Sequence, residues 1–235
     1  MRPLAADEFT TFGTSHWVMI ALFLAGIPAV VLLGRAVRGT DREIVVSRVF
    51  AVAIPCFTLP LQVVDFLPGN YSLHTTWPLQ LCDLAWVAAT VALWTRHRFP
   101  VALIYFWGLV LTTQALVTPD LASPFPDPKF LAFWGMHYLI VWAAIFLVWG
   151  LGLVPAWRDY AATVATTSVW LVTVFTVNSA VGTNYGFVNR KPPRGSVLDY
   201  LGPWPTYVLL EILIIAAVWA LMTWPWVRRQ RTAAR

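Results

Sequence analysis

Seven stretches of this chain are apolar over about 20 residues each, the length a helix needs to cross the hydrocarbon core of a bilayer. They run over residues 15–34, 45–67, 77–95, 99–118, 130–153, 158–181 and 204–224. Backbone groups in hydrocarbon have no water to bond, so segments of this kind fold as helices and pack side by side. The chain therefore reads as an all-α polytopic membrane protein, with residues 1–235 forming a single seven-transmembrane-helix bundle. Composition agrees: 59% of the residues are hydrophobic and 11% are charged. A soluble domain averages about 25% charged residues, so this chain has too little polar surface for a wet exterior. Asp7 and Glu8 precede the first apolar run, the wrong sign for a cleavable signal, so that run reads as a span.

The basic residues set an expected orientation. Arg35, Arg38, Arg42, Arg48, Arg96, Arg98, Arg158, Arg228, Arg229, Arg231 and Arg235 fall on one side of a seven-span layout. Arg2, Lys129, Arg190, Lys191 and Arg194 fall on the other. By the positive-inside rule the first set is cytoplasmic, which puts the N-terminus outside and the C-terminus in the cytoplasm of a plasma-membrane, multi-pass protein. The net charge of +5 thus serves orientation and contact with lipid headgroups, and implies no nucleic acid. Cys56 and Cys82 both lie in apolar segments, without a disulfide framework or a zinc spacing. No metal or cofactor is implied.

Within those segments the polar residues gather toward one end. Trp77-Pro78-Leu79-Gln80-Leu81-Cys82-Asp83 opens the third segment, with Pro78 expected at the helix start, where its missing N–H is no loss. An ionisable group in hydrocarbon costs about 2.5–3.5 kcal/mol on insertion scales and is kept for function or for buried pairing. At 1.5 Å per residue, Cys82 and Asp83, Gln114, His137, Asn178 and Glu211 all fall within about two turns of the outer ends of their helices. His16 and Asp65 lie near the same ends. The inner halves carry almost nothing ionisable, so these groups have one another as partners and define an outer pocket. Thr163, Thr166, Thr167, Thr173 and Thr176 on the sixth segment read instead as helix-packing residues that bond back to their own backbone. The connection from 182 to 205 is long for a bundle and reads as a lid. It carries Asn184, Tyr185, Arg190, Lys191 and Arg194.

The motifs Pro78-Leu79-Gln80-Leu81-Cys82-Asp83, Tyr105-Phe106-Trp107-Gly108 and Thr118-Pro119-Asp120 resemble the YwaF-like bacterial integral membrane protein family. Phe133-Trp134 with His137, Asn184-Tyr185 and Leu198-Asp199-Tyr200-Leu201-Gly202-Pro203-Trp204-Pro205 extend the resemblance over most of the chain from the second span onward. That family is distantly similar to a eukaryotic transmembrane ether-phospholipid acyltransferase that uses a cysteine and a histidine. The resemblance puts the histidine on His137. It puts the cysteine on Leu79, within a Pro-Cys-His triplet that here reads Pro78-Leu79-Gln80, so the thiol is absent at that position. Cys82 lies one helical turn further on.

The expected function is a lipid acyltransferase or hydrolase working on membrane lipids at the outer leaflet. His137 would be the base, Cys82 or water the nucleophile, and Asp83 or Glu211 would orient the imidazole. Gln80, Gln114 or Asn178 would donate to an oxyanion. Asn184, Tyr185, Arg190, Lys191 and Arg194 would meet the substrate's headgroup. The alternatives are a proton-coupled transporter or solute-binding protein, and an accessory subunit of a membrane complex. A retinal protein is excluded by the lack of a lysine in 204–224.

Overall fold

The computed structural model describes residues 8–193 and 195–233. Arg2, Asp7, Arg194 and Arg235, which entered the reading of charge and headgroup contact, lie outside the described residues. Among the described residues there is no strand. The helices are α1 (Thr14–Val37), α2 (Arg42–Asp65), α3 (Leu81–Thr95), α4 (Arg98–Val117), α5 (Pro128–Gly150), α6 (Trp157–Val181) and α7 (Thr206–Ala233). Two of them widen into π-helical stretches, α4 over Trp107–Thr112 and α5 over Phe146–Gly150. Short 3-10 turns at Tyr185–Phe187 and Val197–Leu201 punctuate the connection between α6 and α7.

Six helices are long and apolar enough to cross a membrane, and α3 is not among them. With 15 residues it spans about 22 Å, short of a hydrocarbon core of about 30 Å. The expected start at Trp77 is not observed, because tertiary bonds take up the backbone that a helix would have used. Trp77 N–H donates to the Tyr185 hydroxyl at 3.1 Å, and the Leu79 carbonyl accepts from Trp170 Nε1 at 3.0 Å. Gln80 is extended (φ −64°, ψ 146°) and forms the N-cap, which leaves Pro78 ahead of the helix and not in its first turn. At the other end of the chain, α7 runs well past the expected stop at 224. Arg228 stacks on Trp224 and Arg229 on Trp226, each at 5.6 Å, so the last turns cover their aromatic surface with their own cations.

The centre of the bundle is α4 and α5. In their most apolar windows 56% and 61% of residues are buried, against 11–22% for α1, α2, α6 and α7, whose outer faces are left for lipid. Close backbone approach seats α1 on α5. A Cβ at Gly34 would lie 2.6 Å from Gly150 Cα, and one at Gly150 would lie 2.9 Å from Gly34 Cα. Small residues at such crossings let helices gain van der Waals contact where no hydrophobic effect drives them together.

At the basic end, Arg98 forks onto Asp159, with Nε at 2.8 and 3.0 Å from the two carboxylate oxygens and Nη2 at 2.7 Å from Oδ2. Asp159 also caps its own helix by accepting from Ala156 N–H at 2.7 Å. Its carboxylate is 6% exposed, and a fork of this geometry is what a buried charge requires.

Replacing Gly34 by Leu is expected to lower thermal stability by about 1–3 kcal/mol or more, since backbone is the obstacle and cannot rotate away. Gly108→Ala is the control, because its Cβ would meet Ala144 at an ordinary 3.4 Å. Thermal unfolding in detergent compares the two. Equal stability in both variants would show that α1 does not rest on α5 as described.

Candidate functional site

Because α3 starts late, its first turn lies within the bundle and not at its edge. A cavity of about 430 Å³ occupies the recess, lined by α3, α4, α5, α6 and α7 and roofed by the connection between α6 and α7. Gln80, Cys82, Asp83, Gln114, His137 and Glu211 all line it, together with Thr167 and Ser168. The ionisable groups and the amides cluster at the roofed end, while Thr167 and Ser168, about 20 Å down their helix, lie near the depth of Trp219. Val164, Ile215, Ala216 and Trp219 line the deeper part.

His137 is 3% exposed and lies over Phe133 with ring centroids 4.2 Å apart. Its Nδ1 is 2.6 Å from the Phe133 carbonyl oxygen one turn back. A carbonyl can only accept, so Nδ1 carries the proton and Nε2 is left with its lone pair. The backbone of α5 thus holds the imidazole in the tautomer that acts as a base through Nε2.

Gln80 is fixed by the same kind of argument. Its Oε1 accepts from Gly186 N–H at 2.8 Å, so the amide NH₂ is the end left to the cavity. Gly186 has φ +65°, and a Cβ there would come within 2.6 Å of the Trp170 ring. Only glycine fits this close approach of the roof to α6. Asp83 accepts from Gln80 N–H at 3.1 Å and caps its own helix. The Cys82 thiol lies beside the Thr112 hydroxyl, which belongs to the π-helical stretch of α4. Such stretches recur at functional sites because they re-aim side chains. Leu79 is not part of the lining and packs with Trp170, Leu171 and Tyr185 in the outer apolar cluster. Among the described residues no hydrogen bond joins His137 to Cys82, Asp83, Gln80 or Glu211, and the Glu211 carboxylate makes neither a hydrogen bond nor an ion pair.

The remaining candidates build the roof and do not line the cavity. Asn178 is 2% exposed and uses its whole amide on it. Its Oδ1 accepts from Thr183 Oγ1 at 2.8 Å and Tyr185 N–H at 2.9 Å, and its Nδ2 donates to Tyr185 O and Asn189 Oδ1, both at 2.9 Å. Asn184 closes a ring with the Arg190 backbone, donating at 2.9 Å and accepting at 3.1 Å. The Tyr185 hydroxyl donates to Leu73 O at 2.6 Å while accepting from Trp77 N–H. Burial pushes this phenol above its ordinary value, so it keeps the proton it donates. Lys191 pairs with Asp199 at 3.7 Å and sits over the Tyr207 ring at 5.7 Å, while Arg190 is exposed.

Elsewhere, His16 is buried away from the cavity, accepting from Phe12 N–H at 2.7 Å and meeting Leu116 O at 2.9 Å. Asp65 lends its carbonyl to Thr76 Oγ1 at 3.3 Å. Thr163, Thr166, Thr167, Thr173 and Thr176 each donate to the carbonyl four residues back. Thr167 also accepts from Trp107 Nε1 at 2.8 Å, and with Ser168 adds hydroxyls to the lining that sequence reasoning missed. A helical wheel of α6 would have set Val164, Thr167, Ser168 and Leu171 on one stripe, but not said that it faces α7.

Among the described residues no group of three His, Cys, Asp or Glu side chains is placed to hold a metal. The arrangement suits an amphiphile, with a base, carboxylates and an amide at one end and apolar walls at the other. Comparison with known proteins matches the profile of the TMEM164 family to residues 11–223, which include every residue lining the cavity. No characterised protein and no solved structure matches the chain. With six helices of membrane length and a match over nearly its whole span, the chain is a multi-pass membrane protein belonging to the TMEM164 family.

Proposed function

We propose that the protein is a lipid-directed acyltransferase or hydrolase whose base is His137. The observation that carries this reading is the Nδ1–H bond to Phe133, which leaves Nε2 as a free acceptor inside an amphiphilic cavity. In the reaction, Nε2 takes the proton of a hydroxyl, from water or a lipid alcohol, as its oxygen attacks an ester carbonyl. The tetrahedral oxyanion then collapses, the ester C–O bond breaks, and the imidazolium returns the proton to the departing alkoxide, which leaves as the alcohol. The Gln80 NH₂ and the Gln114 amide supply donors to the oxyanion. Glu211 offers a carboxylate to a cationic or hydroxyl-bearing headgroup, and Arg190 is an exposed cation on the roof for a phosphate. Cys82 is the alternative nucleophile. Its thiol lies against Thr112 and shares no described hydrogen bond with His137, which favours direct activation of a hydroxyl.

The same reading includes a topology. With α3 counted as a short seventh span, the roof faces outside, the N-terminus is outside, and the basic end meets the cytoplasm of the plasma membrane. A cysteine placed at His97, in a background without Cys56 and Cys82, is expected to resist a membrane-impermeant thiol reagent on intact cells. Labelling there would reverse the orientation. Transport is disfavoured because the deep part of the cavity carries no ionisable side chain, and a solute or proton needs a polar route through.

The enzymatic test uses purified protein in nanodiscs of defined phospholipids, with acyl exchange and release followed by mass spectrometry. His137→Ala is expected to lose about 10²–10⁴-fold in turnover, the range for removing a general base. Cys82→Ala is expected to retain most activity. Loss of turnover in Cys82→Ala with the fold intact would move the nucleophile to the thiol. Wild-type rates in His137→Ala would end the proposal.

A further inference from the structure

The deep end of the cavity has a feature that the chemistry at the roofed end does not use. Trp219 on α7 lines it, is 1% exposed, and packs on Phe106 of α4 with ring centroids 5.3 Å apart. Its indole N–H is buried without a hydrogen-bond partner among the described residues. A buried tryptophan normally satisfies that donor, and leaving it unmade is costly. The indole is therefore held by its bulk and packing rather than by its polar edge. Ala216 and Ile215, one turn nearer the roof, also line the cavity, and residues three apart share a helix face. A small side chain followed by the largest one leaves a slot with a closed end.

We infer that Trp219 is the floor of an acyl-chain slot and sets the length of chain the protein accepts. The inference rests on the lipid-directed reading and adds a specificity-determining residue to it. The ester end of the chain lies among Gln80, His137 and Glu211, and its methyl end stops against the indole. Glu211 and Trp219 are separated by eight residues of α7, about 12 Å along the helix axis. The walls between them carry no charge: Val164 of α6 with Ile215 and Ala216 offer apolar contact, the Thr167 hydroxyl is taken up by Thr163 O and Trp107 Nε1, and Ser168 adds one hydroxyl. The chain enters from bilayer hydrocarbon, where its methylenes are already out of water, so each one gains only closer packing in the slot. Affinity relative to the surrounding lipid should therefore climb modestly with each methylene and level off abruptly when the chain meets the floor.

The experiment measures binding of a homologous series of saturated monoacyl glycerophospholipids to the full-length protein in nanodiscs. Wild type, Trp219→Ala and Ala216→Phe are compared. The expected result is a plateau in wild type, displaced to longer chains in Trp219→Ala and to shorter chains in Ala216→Phe. Opposite displacements in two variants cannot come from a general loss of packing. Should Trp219→Ala prove unstable, Trp219→Phe keeps an aromatic ring against Phe106 and is expected to move the plateau in the same direction by less. A plateau at the same length in all variants overturns Trp219 as the floor while leaving lipid binding intact. Absence of saturable binding by wild type at any chain length overturns this inference together with the lipid-directed reading.

Discussion

The hydrogen bond from Gly186 N–H to Gln80 Oε1 ties the roof to the recessed start of α3, and the cavity depends on that recess. A third helix beginning at Trp77 would carry its polar first turn up to the bundle edge and leave no room beneath the roof. Instead the backbone of Trp77–Gln80 is spent on Tyr185 and Trp170, and helix formation is delayed to Leu81. Polar groups at membrane depth are tolerated where they line a cavity or are bonded within the protein. Gln80, Asp83 and His137 meet both conditions, each with one end bonded to backbone.

The two ends of the bundle solve different problems. At the basic end, a buried carboxylate is neutralised by a bidentate arginine and glycines bring α1 against α5, which makes a tight base. At the other end, helices α6 and α7 are separated enough to admit a cavity and are held instead by the roof. Asn178 saturates all the bonding capacity of its amide in doing so. The hydroxyls of α6 are mostly returned to its own backbone, so this helix presents little uncompensated polarity either to lipid or to the cavity.

Much of this arrangement was legible in the sequence, for identifiable reasons. Span length and charge signal helices directly, so five apolar runs appear as helices close to their expected bounds and a sixth overruns only at its C-terminal end, and Cys82, Asp83, Gln114, His137 and Glu211, at shared depth, line one cavity. The late start of α3 was not legible, because it is decided by Trp170 and Tyr185, which lie about 90–110 residues away. Asn178, Asn184 and Tyr185 looked like ligand-binding residues for the same reason that they make a good roof: they are polar and sit at the outer end of the bundle, and depth alone cannot tell a bonded amide from a free one. The fork between Arg98 and Asp159 was missed because Arg98 was counted only as a topology signal. A carboxylate in the first turn of α6, at the end where Arg98 sits, was its available clue.

Directly imaging what fills the cavity tests the central claim, that a bundle recessed at α3 houses the acyl region of a lipid beside His137. A cryo-electron microscopy map of the protein in nanodiscs of native lipid, with a rigid antibody fragment for alignment, would show it. The account predicts continuous, elongated density running from the imidazole toward Trp219, with a headgroup-sized end beneath the roof. A chain of separate water-like peaks continuing past Trp219 to the basic end would contradict it and describe a polar conduit instead.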